Sequence, residues 1–212
     1  MGRYKRNQVE AAISEGVNSS GTHPPAEVRH RLKRLLDTDR TLGRNPRSVD
    51  PEQATYAFYT GDAPGSGVEV WFSPYEAFAL LIAFNLLEHG FPQQKTVLAL
   101  RRVRTVLERE HRRVLKLDPS SLFDQDALQR NAAPGQLAVG STNPVYLVIT
   151  TERKRAAKPL KGITICPNEI ELMKFMKAAL ASYTIFELTT PAHRLKYHLA
   201  KTEPSQRGRA AT

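Results

Sequence analysis

The chain has 212 residues, of which 41% are hydrophobic and 25% are charged, a globular composition that excludes a disordered or fibrous protein. A single cysteine, Cys166, excludes an internal disulfide and a zinc site built from several thiolates, and we expect it to be a buried apolar residue. No apolar run is long enough to span a bilayer, and no secretory signal follows the basic N-terminus. These features predict a protein of the reducing cytoplasm.

The net charge narrows the class of partner. The chain holds 31 Lys and Arg against 21 Asp and Glu, which gives +10 and a pI near 9.9. Long-range electrostatics attract such a protein to polyanions. The balance therefore favours nucleic acid or another anionic surface as a partner, although it does not specify a fold.

Two amphipathic helices are predicted near the N-terminus. Residues 4–15 carry apolar side chains at helical spacing, and Gly16 is suited to end this helix. A second helix is predicted from Pro24 to about Gly43, because prolines favour a helix start and an apolar stripe follows them. The rest of its surface carries four basic side chains, Arg29, Arg31, Lys33 and Arg34.

A β-hairpin and a capped helix are predicted next. Residues 54–60 and 68–72 are rich in aromatic and β-branched residues and flank a glycine-rich turn, a pattern typical of a hairpin. Ser73-Pro74-Tyr75-Glu76 is a capping box with proline at the first helical position, and it predicts a helix that ends near His89.

A longer helix is predicted over residues 93–117. Its apolar residues lie along one side, where they could pack against a second subunit or against the chain's own preceding helix. We expect its basic residues to cover the remaining surface; they are Arg101, Arg102, Arg104, Arg109, Arg112, Arg113 and Lys116.

The second half of the chain contains more predicted strands than the first, and its pattern predicts a smaller α+β part. Residues 118–135 form a predicted linker with a short helix near 124–129. Strands are predicted at 136–140, 145–151, 163–166 and 184–188, and helices at 167–181 and 190–201. We expect residues 136–201 to serve for dimerisation or for ligand or partner binding, and residues 202–212 to be a disordered tail.

The order of elements in residues 1–117 is that of a winged helix-turn-helix domain. Residues 72–107 run from an aromatic residue and Ser-Pro through an acidic residue and an apolar helix to Leu-x-x-x-Gly-aromatic. In this they resemble the MerR-like transcription regulators, and the segment YKRNQVEAAI resembles the first helix of that family. Two features depart from the family: the first turn is long, and the predicted wing carries Asp62 and Glu69 but no basic residue.

The resemblance implies that residues 24–37 lie in the major groove of DNA. Arginine suits guanine edges, lysine more often meets a phosphate, and the N-terminal cations would contact phosphate. The alternative is that these cations form the solvated face of an ordinary helix. The predicted DNA contacts are Arg3, Lys5, Arg6, Arg29, Arg31, Lys33, Arg34, Arg44 and Arg47.

The leading hypothesis is a sequence-specific regulator that binds double-stranded DNA as a homodimer on a palindromic site. The competing hypothesis is a non-enzymatic interaction protein whose basic surface binds RNA or an acidic protein. We expect no enzymatic activity, metal or cofactor, because no phosphate-loop motif is present and the histidines are scattered. A DNA reader requires the arginines of the second helix to be exposed on one face.

Overall fold

The computed structural model describes residues 2–16, 24–65, 68–131, 140–151, 160–178 and 182–203. It confirms the predicted α+β fold class. The helices are α1 (Arg6–Gly16), α2 (Ala26–Leu42), α3 (Pro51–Ala54), α4 (Pro74–Glu88), α5 (Gln93–Val114), α6 (Pro119–Leu122), α7 (Gln125–Asn131), α8 (Glu169–Ala178) and α9 (Thr189–Lys201). The strands are β1 (Tyr4–Lys5), β2 (Trp71–Phe72), β3 (Tyr146–Thr151), β4 (Leu160–Cys166) and β5 (Ser182–Glu187).

The predicted capping box at the start of α4 is confirmed. The Glu76 amide donates to the Ser73 hydroxyl over 3.2 Å, and the Ser73 amide donates to the Glu76 carboxylate over 2.6 Å. Gly90 follows the helix with a φ of 81°, a left-handed conformation that glycine adopts without strain. The capping side chains therefore set the start of α4, and the backbone freedom of Gly90 sets its end.

The predicted hairpin between residues 54–60 and 68–72 is wrong. β2 pairs antiparallel with β1, so that Tyr4 lies opposite Phe72 and Lys5 opposite Trp71. Residues 55–65 and 68–70 form no strand. The sequence pattern identified one true strand at 71–72, but its partner is the N-terminus rather than the neighbouring segment.

A buried ion pair holds the segment that was expected to be the first hairpin strand. The Asp39 carboxylate accepts hydrogen bonds from the amides of Ala57 and Phe58, at 3.1 and 2.9 Å. It also accepts one from Arg101 at 2.7 Å. The Arg101 guanidinium donates in addition to the carbonyls of Asp39, Gly43 and Glu52. Side chains of α2 and α5 thus satisfy backbone groups that a strand partner would otherwise satisfy.

The expectation that all arginines of α5 lie on its surface is also wrong. Arg101 is 2% exposed and Arg104 is 9% exposed. Arg104 donates to the carbonyls of Tyr56 and Ala57 and to the Thr60 hydroxyl. A buried guanidinium is tolerated only when its donors are satisfied. Backbone carbonyls between residues 39 and 57, together with the Asp39 carboxylate and the Thr60 hydroxyl, satisfy these two.

One hydrophobic core joins the two halves of the chain. The antiparallel sheet has the order β4-β3-β5, and α8 packs on one of its faces through Leu172. Leu147 and Ile149, on the other face, belong to the same cluster as the core of α1, α2, α4 and α5. Helix α9 adds Leu195 and Leu199 to that cluster. Residues on both sides of the predicted linker therefore share a core.

The apolar stripe of α5 packs against other segments of the same chain. Val97, Leu100 and Leu107 are fully buried in the common core. Of the two alternatives for this stripe, packing on the chain's own helices is therefore the one observed.

Cys166 is buried, as predicted. Residues 136–139 of one predicted strand, and the tail from 204, lie outside the described residues.

The helices of the described part of the chain are all too short or too polar to cross a membrane.

Candidate functional site

A basic groove of about 580 Å³ is the candidate functional site. Three segments of the chain form its walls, namely the N-terminal segment with the first turns of α1, the outer face of α2, and residues 65 and 68–70 before β2. Five of the lining side chains are Lys or Arg and three are Asp or Glu. The lining residues are Lys5, Arg6, Asn7, Glu10, Arg29, His30, Lys33, Asp37, Arg40, Gly65, Val68, Glu69 and Val70.

The periodicity of α2 explains why its polar face lines the basic groove. Val28, Leu32 and Leu35 are buried at helical spacing and fix the inner face of the helix. Arg29 and Lys33, one turn apart, therefore lie on the outer face. The pairing of β1 with β2 brings the N-terminal segment beside residues 68–70 and closes the opposite wall.

Three cations of α2 are free to meet a ligand. Arg29, Lys33 and Arg34 are exposed, and within the described ranges none of them forms an ion pair or a side-chain hydrogen bond. Arg29 and Lys33 line the basic groove, whereas Arg34 lies next to it on the exposed surface of the helix. Unpaired, solvated guanidinium and ammonium groups are the donors that a phosphate requires.

The other cations of the basic groove already have acidic partners. The Lys5 ammonium lies 2.9 Å from the Glu69 carboxylate and 5.2 Å from the centre of the Trp71 ring. Arg6 pairs with Glu10 at 2.6 Å. Arg40 pairs with Asp37 at 3.4 Å. The Lys5–Glu69 and Arg40–Asp37 pairs are partly exposed and therefore weak, so a polyanion could displace these two carboxylates at modest cost, whereas Glu10 is buried.

Several predicted contacts lie outside the lining of the basic groove. Arg31 donates to Glu27 at 2.6 Å and to Glu88, which turns it toward the end of α4. Arg44 pairs with Asp62 at 2.8 Å. Arg3 and Arg47 are exposed on separate segments. The structure thus brings Lys5, Arg6, Arg29 and Lys33 together and leaves out Arg3, Arg31, Arg34, Arg44 and Arg47.

Sequence reasoning missed His30, Arg40 and the acidic wall at Glu69. A signal for the first two was present, because residues 30, 33, 37 and 40 recur at helical spacing on one face of α2. Glu69 gave no such signal, since it meets Lys5 only through the pairing of β1 with β2. The sole tryptophan, Trp71, lies beside this wall and is 42% exposed.

The arrangement offers cationic groups to an anionic ligand. Arg29 and Lys33 are its unpaired cations, and the described residues contain no cluster of three His, Cys, Asp or Glu side chains that could hold a metal. Phosphate contacts by such cations fix the register of a nucleic acid, and only contacts to base edges specify its sequence.

Comparison with protein family models and with curated protein sequences finds no match to this chain.

Proposed function

We propose that the chain is a cytoplasmic DNA-binding regulator that holds double-stranded DNA along the basic groove and the exposed face of α2. The observation that carries this proposal is the pair Arg29 and Lys33, two unpaired cations one helical turn apart in a groove to which the N-terminal segment adds Lys5 and Arg6. Nothing in the fold requires these charges, because neither side chain has a partner among the described residues.

The spacing of the free cations fits a phosphate backbone. Two side chains four residues apart on a helix are separated by about 6 Å along its axis, which allows them to contact neighbouring phosphates. In this arrangement Lys33 meets phosphate, and Arg29 and Arg34 are the candidates for guanine edges. Glu69 repels phosphate, so residues 68–70 contribute little attraction to the groove, and a polyanion must displace Glu69 before it can pair with Lys5.

The resemblance of residues 72–107 to MerR-like regulators supports duplex DNA as the target. A homodimer on a palindromic site belongs to the same proposal. Because Val97, Leu100 and Leu107 are occupied within the chain, the dimer contact would use a surface other than the apolar stripe of α5.

A second candidate, single-stranded RNA, is favoured by one observation. Trp71 and Val68 are exposed apolar side chains beside the basic groove, and Lys5 lies over the Trp71 ring. An unpaired base can stack on such a ring while the cations hold its backbone. Duplex DNA does not present unstacked bases and would leave Trp71 unused.

Fluorescence anisotropy with matched variants tests the proposal and separates the candidates. A labelled random duplex and a single-stranded RNA are titrated with wild type and with the triple variant Arg29→Gln, Lys33→Gln, Arg34→Gln. The control triple variant Lys95→Gln, Lys116→Gln, Lys196→Gln removes the same charge from exposed positions elsewhere. We expect the first triple to weaken duplex binding at least about tenfold and the control to weaken it less than about threefold.

Equal losses in the two triple variants would contradict a site on α2, since only the total charge would then matter. Tighter binding of the RNA, lost on Trp71→Ala, would favour the second candidate over the first.

A further inference from the structure

A second cavity, of about 200 Å³, lies between α1, α4 and α9 and shares no residue with the basic groove. It faces a different side of α1, because Ala12 lies about a third of a turn or more away from Arg6 and Glu10 around the helix. We name it the interhelix cavity. Its lining residues are Ala12, Gly16, Leu81, Asn85, Thr190, Pro191, Arg194 and Leu195.

The interhelix cavity has an apolar floor. Ala12, Leu81 and Leu195, one residue from each helix, are at most 5% exposed. A cavity of comparable size, about 150 Å³, with apolar walls can hold a benzene ring. The floor therefore accommodates an apolar group of roughly that size.

Two polar side chains on the wall of the interhelix cavity, the partly buried Asn85 and the exposed Arg194, are open to a ligand, and the buried Thr190 hydroxyl beside them also lacks a hydrogen-bond partner among the described residues. Asn85 and Arg194 form no side-chain hydrogen bond or ion pair with the rest of the described chain. The carboxylates that lie closest in sequence to the lining of α1 and α4 are occupied, since Glu15 contacts His198 at 2.8 Å and Glu88 accepts from Arg31. The exposed guanidinium of Arg194 thus has no acidic partner among the described residues and lies beside an apolar floor.

We infer that the interhelix cavity binds a small organic carboxylate. The guanidinium of Arg194 pairs with the carboxylate, the amide of Asn85 offers a further donor, and the apolar body of the ligand packs on Ala12, Leu81 and Leu195. A few polar groups around an apolar floor are typical of small-molecule sites, and the guanidinium specifies an anion.

Helix α1 connects the interhelix cavity to the basic groove. Its tip contacts α9 through Glu15 and His198, while its first turns supply Arg6 and Glu10 to the basic groove. A ligand that bridges α9 and α1 would bias the position of α1, and with it the affinity for nucleic acid. This coupling rests on the proposed function, whereas binding of the carboxylate does not.

Calorimetric titration of the full chain with benzoate and with benzylamine tests the binding. We expect saturable one-to-one binding of benzoate and none of benzylamine, whose charge is reversed. Arg194→Gln should weaken benzoate binding about tenfold or more, because it removes a charge-assisted contact. The control Lys196→Gln, an exposed position on the same helix, should change it less than about twofold.

Asn85→Leu provides a second variant that leaves the charge unchanged, and a thermal melt checks that each variant folds. Absence of saturable benzoate binding, or equal effects of Arg194→Gln and Lys196→Gln, would overturn the inference. A separate duplex titration at saturating benzoate tests the coupling, which an unchanged duplex affinity would refute. If the chain bound benzoate but no duplex, the inferred carboxylate site would stand and the proposed function would be refuted.

Discussion

Helices α2 and α5 are both rich in arginine, yet the structure uses their charges in opposite ways. α2 exposes Arg29 and Arg34 without partners, whereas α5 buries Arg101 and Arg104 against backbone carbonyls and Asp39. A net charge of +10 therefore overstates the charge that is available to a partner. Arginine count alone does not distinguish a binding helix from a structural one.

Substitution of Arg101 gives the largest effect expected from this comparison. Arg101→Met leaves Asp39 buried without its cation, and burial already raises the pKa of that carboxyl. Removing one partner of a buried pair costs about 3–5 kcal/mol. We expect a loss of that size in the free energy of unfolding, measured by urea denaturation.

The neighbouring residue supplies the control. Arg102 lies one position along α5, is about half exposed and pairs with Glu52. Arg102→Met should cost less than about 1 kcal/mol, because exposed ion pairs contribute little. Similar losses for the two substitutions would show that the buried pair has no special role.

Acid should lower the stability of the folded protein through two further buried side chains, His111 and His193. Burial lowers the pKa of His111, which stacks on Phe78, to about 4, and the nearby charges of His193 and Arg112 act in the same direction. Burial lowers the pKa of His193 as well. Folded protein then binds fewer protons than unfolded protein, so stability is complete above about pH 6.5 and falls as the pH drops toward 4.

The loss attributable to His111 is at most about 3 kcal/mol. Urea unfolding between pH 7 and pH 4 measures it, and His111→Phe should remove much of the pH dependence while keeping the ring stack. If the variant lost stability over this range as steeply as wild type, the account of His111 would be wrong.

A smaller effect is expected at the acidic wall of the basic groove. Glu69→Gln removes the partner of Lys5 and one negative charge from the lining. Duplex affinity should rise about two- to fivefold at low salt, and the difference should shrink as salt screens it. Anisotropy at two salt concentrations checks this. A matched Glu203→Gln variant, exposed near the end of α9, should have little effect, and equal gains in both would argue against a local role of Glu69.

The sequence predicted the features that depend on neighbouring residues. The cap at Ser73, the extent of α2 and the strands near 146–151 and 182–187 all follow from local patterns. Helical spacing also carried the information that Arg101 and Arg104 are buried, because residues 97, 100, 101, 104 and 107 share one face of α5. The charge of these two residues led to the wrong expectation.

The features that failed depend on contacts between distant segments. β2 pairs with the N-terminus, and the Asp39–Arg101 pair joins residues 62 positions apart. The same holds for the candidate site, because the sequence identifies Lys5, Arg6, Arg29 and Lys33 only as separate basic residues. Their assembly into one groove with Glu69 required the tertiary fold.

The salt dependence of duplex binding tests most directly the claim that free cations of α2 form the site. The logarithm of the association constant is measured against the logarithm of salt concentration for wild type, Lys33→Gln and Arg31→Gln. Each phosphate contact contributes about 0.9 to the slope. Loss of about one from the slope on Lys33→Gln, with an unchanged slope on Arg31→Gln, is the predicted result, since Arg31 is held by Glu27 and Glu88. The same change in both variants, or in neither, would contradict the claim.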